Sequence, residues 1–392
     1  GSKSFFDHCL YILHRSIVRV TCTMPKAKKG KKGKNGKKNA KQVAEEENLL
    51  HEGFLKSLKI HALSITGNPP PANVLKNLKG PADEKGVEDL PGYYNRRRVI
   101  QMNDIRLGPA LLRALCLALT TSKYTLMERI SLVDACIKDA GVTSLCEILT
   151  IGETLGIKPA TLELISCDLS HLACEPLSVA LSGGGGGNTA LVSLVLDYNK
   201  NIKNIGLSSL CIGLRGNSTL KSLSLKSCGL AGNEMGIAIS LLLSSTTNNL
   251  EHLNLANNKL TPKGLSTVSR ALKKNYTLKH LDISENNIDA DFESNAYDVF
   301  MRSMNHLRLA LQMNTTLLAL DLSFNTITED GALQLLPALS PSSETRNNTL
   351  KFFKLTTLLS HGTFNQLSRS GSTGGKGGKK KKKKGGKKKK KK

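Results

Sequence analysis

One eleven-position frame, L-x-x-L-x-L-x-x-N/C-x-L, returns again and again through the middle of this chain and limits what the chain can fold into. Leu220, Leu223, Leu225, Cys228 and Leu230 fill it completely. So do Leu250, Leu253, Leu255, Asn258 and Leu260, then Leu278, Leu281, Ile283, Asn286 and Ile288, and then Leu317, Leu320, Leu322, Asn325 and Ile327. Upstream, Leu191, Leu194, Leu196 and Asn199 fit with a slip to Ile202, and Leu162, Leu164, Cys167 and Leu169 fit with Pro159 in the first slot. Met127, Ile130, Leu132 and Ile137 fit with Ala135 at the Asn position; Ile100, Met102 and Leu107 form a degenerate opening unit, and Leu350, Phe353 and Leu355 a closing one. From Met127 to Leu350 the first positions are 32, 32, 29, 30, 28, 39 and 33 residues apart. Between frames, Gly206-Leu207 to Leu214, Gly264-Leu265 to Leu272 and Gly331-Ala332 to Leu339 place apolar residues at helical spacing. Each unit therefore reads as a short strand, a turn and an amphipathic helix. A single unit leaves its strand leucines and its helix stripe exposed until neighbours stack on it. Each large aliphatic is worth ~1.5 to 3 kcal/mol when buried, so only the stacked array offsets the ordering entropy of the chain. The Asn or Cys at position nine is expected to bond to loop backbone inside the turn and keep buried polar groups paired from coil to coil.

Repeats of this length, with G-x-x-x-L-x-x-x-L helices and N-x-T-L entries, resemble the ribonuclease-inhibitor-like leucine-rich repeat family over residues 97–360. The resemblance implies an α/β solenoid, a horseshoe with parallel strands on its concave face, helices on its convex face and partners docking on the concave side. Two departures, the Gly183 to Gly187 run and about ten extra residues around Asp289 to Met304, are expected to be surface excursions. Four N-x-S/T sequons begin at Asn217, Asn275, Asn314 and Asn347, but each precedes a leucine in the same phrase and belongs to the repeat rather than to glycosylation. Nine cysteines without a C-x-x-C pair read as buried reduced thiols, and Cys167 and Cys228 occupy the structural ninth position.

The net charge of +25 sits at the ends: nine lysines lie between Lys26 and Lys41 and thirteen between Lys376 and Lys392. The body between them is nearly neutral, which argues against a nucleic-acid-binding domain with a basic face of its own. Lysines spaced by glycine bury no apolar area, so both arms are expected to be disordered. The chain divides into a leader (residues 1–24), a Lys/Gly-rich arm (25–42), a helical or irregular cap region (43–96), the solenoid (97–360) and a Lys/Gly-rich tail (361–392). Glu45, Glu46 and Glu47 are expected to open a helix reaching about Leu58. The leader, with Lys3, Arg15 and Arg19 against Asp7, is also compatible with a mitochondrial presequence. No apolar run has the ~18 to 20 residues that a bilayer span needs. Lysine without arginine or aromatics is a point-charge polymer, suited to acidic tubulin tails or to RNA and poorly suited to reading bases.

Side chains between the strand leucines project from the sheet, and they define the candidate partner-binding face: Arg129, Glu163, Asp197 and Lys226, then His252, Asn254, His280, Asp282 and Asp321. Phe324 and Tyr198 follow their strands as candidate interface anchors or turn-packing residues. His252, His280 and Asp282 imitate an acid-base or metal site, but no nucleophile or third convergent ligand accompanies them, so neither catalysis nor a cofactor is expected. The expected function is a non-enzymatic scaffold: the solenoid docks a protein and the lysine arms attach to an acidic polymer. Among proteins with this type of repeat, ciliary assembly subunits of the nexin-dynein regulatory complex fit that combination, which implies a cytoplasmic and axonemal location. The alternatives are a Ran-type GTPase-activating protein, against which the basic rather than acidic tail counts, and a ribonucleoprotein-associated subunit. Immune-type sensing ranks last, since no nucleotide-binding segment stands before the repeats.

Overall fold

Because side chains alternate along a strand, the leucines at positions four and six of each frame point to one side while positions three, five and seven point to the other. The computed structural model describes residues 40–79, 97–182, 190–289, 296–356 and 359–370. In it the nine frames become nine short parallel strands of one sheet, in chain order: β1 (Val99–Asn103), β2 (Arg129–Val133), β3 (Thr161–Ile165), β4 (Ser193–Val195), β5 (Ser222–Ser224), β6 (His252–Asn254), β7 (His280–Asp282), β8 (Ala319–Asp321) and β9 (Phe352–Lys354). A last strand, β10 (Arg369–Ser370), runs antiparallel to β9. Residues at equal frame positions pair, as in Arg129 with Thr161, Ser222 with His252 and His280 with Ala319, so the repeat spacing is the strand register. The fold is an α/β leucine-rich repeat solenoid.

Helices return the chain from one strand to the next: α3 (Gly108–Thr121), α4 (Lys138–Leu155), α5 (Cys174–Leu181), α6 (Lys203–Leu214), α7 (Gly232–Leu243), α8 (Thr261–Leu272), α9 (Ala296–Met313), α10 (Glu329–Leu333) and α11 (Leu336–Leu339). The strand leucines and the inward helix residues form one continuous core running from Ile100 to Leu367. Gly236 of α7 and Gly264 of α8 let two neighbouring helices approach closely: a Cβ on Gly236 would lie 2.7 Å from the Gly264 Cα.

Two ladders of asparagine tie the coils together. At position nine, Asn258 accepts hydrogen bonds from the backbone N–H of Cys228 (3.1 Å) and Leu230 (3.1 Å) in the preceding turn. Its amide donates to the carbonyls of Leu225 (2.9 Å) and Leu255 (2.9 Å). Asn199 and Asn325 repeat the pattern toward Cys167 and Leu169 and toward Asn286 and Ile288. Where the slot holds cysteine, the thiol supplies the donor, from Cys167 to the Leu132 carbonyl (3.4 Å) and from Cys228 to the Leu196 carbonyl (3.2 Å). Burial pushes the Cys167 thiol up to about 12, as it does Cys146, Cys174 and Cys211. These are structural thiols, not reactive ones.

The second ladder uses the sequon asparagines. Asn217, Asn275 and Asn314 are buried; each accepts from the N–H groups two and three residues on and donates to a carbonyl at the end of the helix one repeat earlier, Leu181, Leu243 and Leu272 respectively, each at 2.8 Å. Asn347 does the same toward Leu311. Helix ends leave carbonyls without intrahelical partners, and the N-x-T-L phrase satisfies them.

Ahead of β1, α1 (Ala40–Thr66) and α2 (Ala72–Lys79) cover the first coil. Phe54 and Leu58 of α1 and Val74 of α2 join the core, and the Phe54 ring lies 4.9 Å from the buried Tyr124 ring. Tyr124 donates to the Arg97 carbonyl (2.7 Å) and bonds His51 Nδ1 (2.8 Å). Four boundaries differ from the sequence expectation, the first being that α1 opens at Ala40, ahead of Glu45 and inside the arm expected to be disordered. α1 continues past Leu58 to Thr66, because Ala62 and Ile65 extend its buried stripe. Residues 296–304 are no excursion but the first half of α9, held by buried Phe300 and Met304. Residues 361–370, expected in the tail, form α12 (His361–Leu367) and β10, with Leu367 buried under the last coil. The leader, all the lysines of both arms except Lys41, and the Gly183 to Gly187 run lie outside the described residues.

Replacing Leu255 with Asp puts a carboxylate at a fully buried position and is expected to abolish cooperative unfolding and the helical circular-dichroism signal. Asn258→Ala strands two N–H groups and two carbonyls and should cost about 2–4 kcal/mol in urea unfolding, whereas the exposed Lys263→Ala should stay within about 0.5 kcal/mol.

Candidate functional site on the strand face

The face opposite the leucines is divided by burial. In its first half the charged side chains are committed to each other. Glu163 is 6% exposed; its two oxygens accept from Arg129 Nη2 (2.5 Å) and Ser131 Oγ (2.7 Å). Asp197, 1% exposed, accepts from Ser224 Oγ (2.6 Å) and the Lys226 N–H (2.9 Å). Both carboxylates were expected to face a partner; the structure instead places them as internal struts between adjacent strands, because neighbouring repeats supply donors at the same or the adjacent outward position of the frame. Lys226 lies over the Tyr198 ring, 5.4 Å from its centroid, which pairs a cation with one of the two candidate aromatic anchors.

From β6 onward the face is more open. His252 and His280, one repeat apart, stack with ring centroids 4.4 Å apart and planes 14° from parallel. Burial is the main reason that the His252 imidazole falls to about 4, with the neighbouring His280 and Lys279 adding to it against the pull of Glu251. His280 is lowered for the same first reason. Beside the stack, Glu251 bridges Lys279 (2.7 Å) and Lys221 (3.2 Å); partial burial would raise its carboxyl, but the two ammonium groups hold it below its ordinary value.

Asn254, Asp282 and Asp321 form a row on consecutive strands, half-buried, each folding back on its own turn: Asn254 accepts from the Ala256 N–H (2.9 Å), Asp282 from Ser284 N–H (3.0 Å) and Oγ (2.7 Å), and Asp321 from the Ser323 N–H (3.0 Å). Burial raises the Asp282 carboxyl, and the hydrogen bonds from Ser284 oppose it. Asp321 also receives Lys354 Nζ at 2.8 Å. Asp282 is held through Oδ1 alone, whereas both Asp321 oxygens are engaged, Oδ1 by Ser323 and Oδ2 by Lys354. Phe324 is 76% exposed and does not pack into its turn.

Sequence reasoning passed over the Lys221–Glu251–Lys279 ladder and, apart from Tyr198 and Phe324, the residues at frame position eight. Ser227, Asn257, Glu285 and Phe324 all take that position with φ of +52° to +62°, as do Asp104, Asp134, Ser166 and Tyr198. The signal was in the frame, since position eight is where the chain turns out of the strand. The thiols, His252, His280 and Asp282 gather into no metal-holding group of three among the described residues, and no helix described is long and apolar enough to cross a membrane.

A strand face built from stacked repeats, with the partner-accessible groups concentrated on β6 to β8, defines an interaction-type solenoid. A family profile for the leucine-rich repeat matches residues 247–269, 274–291 and 314–336, the same segment. The chain is 34% identical over 207 residues to NACHT, LRR and PYD domains-containing protein 14 of Mus musculus, covering 51% of this chain and 18% of that protein. It is 28% identical over 327 residues to the human domains-containing protein 13 of the same series (75% and 30%) and 30% identical over 246 residues to the ribonuclease inhibitor of Sus scrofa (61% and 48%). The chain thus spans less than half the length of these relatives. Its repeats are leucine-rich repeats similar to those of the ribonuclease inhibitor and of the NACHT, LRR and PYD domains-containing proteins.

The stacked histidines make stability depend on pH. A His whose folded value lies below about 6.5 refuses a proton that the unfolded chain accepts, so its contribution is complete above pH 6.5 and is lost as pH falls toward 4. Unfolding free energy is expected to fall across that window by an amount on the order of 1–2 kcal/mol after solvent screening, seen as a lower melting temperature, and His252→Asn should flatten the drop.

Proposed function

We propose that this chain is a non-enzymatic protein-interaction scaffold whose strand face docks a protein partner while its lysine arms attach to an acidic polymer. The observation that carries the reading is the open half of the face: His252 and His280, Asn254, Asp282 and Asp321, held in register by the sheet and edged by an exposed Phe324. Hydrogen-bonding groups fixed on a rigid sheet lose little entropy on binding, which is what a docking face needs. The relatives support it, being named as leucine-rich repeat proteins and, in one case, as an inhibitor of ribonuclease. That they are not named for a catalytic activity also supports the non-enzymatic reading.

For the arms, a run of lysines without arginine or aromatic residues favours a flexible acidic partner over a base-read nucleic acid, and the acidic tails of tubulin suit it best. The reading places the protein in the cytoplasm, at axonemal microtubules. Salt-dependent cosedimentation tests it. Full-length protein should pellet with microtubules at physiological salt more strongly than it binds RNA, and deletion of residues 371–392 should weaken the pelleting several-fold without lowering the melting temperature. Equal loss of both ligands as salt rises would reduce the arms to generic polycations and overturn the tubulin assignment.

A further inference from the structure

At the turn side of β6 to β8 a cavity of about 340 Å³ opens to solvent, lined by Asn257, Glu285, Asn287, Asp289, Phe324 and Thr326. One wall is aromatic. Phe324 occupies frame position eight with φ +58°, a conformation that costs a bulky residue energy and that the other repeats mostly fill with Asp, Ser or Asn. Its ring is 76% exposed, so burial does not compensate that strain. The other walls are acceptors. Glu285 is exposed and Asp289 half-buried; among the described residues neither carboxylate makes a hydrogen bond or a direct ion pair, and the nearby Lys226 ammonium feels the Glu285 charge without closing on it. Asn257 donates to Ser227 Oγ at 2.8 Å, which leaves its carbonyl oxygen available. The Asp282 and Asp321 carboxylates on the adjoining strands add negative potential to the same two repeats.

We propose that this cavity receives an arginine side chain of the docked protein partner, its guanidinium plane stacked on Phe324 and its N–H groups donating to Glu285 and Asp289. The proposal rests on the scaffold reading of the strand face and names the chemistry of the partner there. An aromatic face attracts a cation, and arginine stacks on it best because its guanidinium is planar and weakly hydrated. Two unpaired carboxylates and flanking amide oxygens match a group with five donors and no acceptor. A trimethylated lysine, which has no donor, would leave those acceptors unused. The surface supplies the negative charge, the aromatic platform and a volume that holds one side chain.

The test uses the full chain and a short blocked peptide, glycines flanking one arginine, with citrulline and lysine versions as controls. Titration followed by NMR should show the arginine peptide binding with a dissociation constant on the order of millimolar. The citrulline peptide, which keeps the shape and loses the charge, should bind at least tenfold more weakly. Phe324→Asn should weaken arginine binding about tenfold while leaving the melting temperature equal or higher, because Asn tolerates the left-handed backbone. Glu285→Gln should weaken binding and reduce its salt dependence. Equal binding of arginine and citrulline, no binding up to tens of millimolar, or a Phe324→Asn protein that melts earlier would each overturn the proposal. These outcomes are independent of microtubule pelleting, so a failure of the cavity and a failure of the arm assignment are told apart.

Discussion

Everything in this solenoid depends on how the turn after each strand disposes of its buried backbone groups. A parallel sheet of three- to five-residue strands has few ladder bonds per strand, and the chain must then leave the sheet inside the protein, where unpaired N–H and C=O groups are costly. The position-nine asparagine meets that need with one side chain that accepts twice and donates once across the boundary between coils, and donates again within its own turn. The sequon asparagines do the equivalent at the helix ends. Between them the leucines supply the driving force and the asparagines supply the geometry, and neither suffices without the other.

That division of labour leaves the opposite face of the sheet free to vary. With the core carried by positions four and six, the outward positions answer only to their cross-strand neighbours. In the first half of the array those neighbours are complementary, and Arg129, Ser131 and Glu163 close on each other. In the second half complementarity is partial: Lys354 closes on Asp321, while a histidine stack and an exposed phenyl ring line the rest of the face.

The frame was legible because leucines recur with a period that no isolated helix or hairpin produces, and the strand register follows from it residue by residue. Chain segments that lack the frame were read less well. α1 ran on to Thr66 and α9 began at Ala296 because their buried stripes are decided by what packs against them, as Ala62 and Phe300 show. The candidate face was legible as a list of projecting residues and illegible as a surface. Periodicity says that Glu163 and His280 project from the sheet; it is silent on which of them finds a partner within it.

The sequence by itself determined the repeat, the register of the strands, the structural role of Cys167 and Cys228 and the concentration of charge in the two arms, since each is a local pattern or a count. Tertiary structure alone decided which outward residues are sequestered, as Glu163 and Asp197 are, and which remain open, as Phe324 does. It also created the cavity beside Phe324, whose walls come from three successive repeats. Burial and hydrogen-bond pairing are properties of neighbours, and residues about thirty apart along the chain become neighbours only when the coils stack.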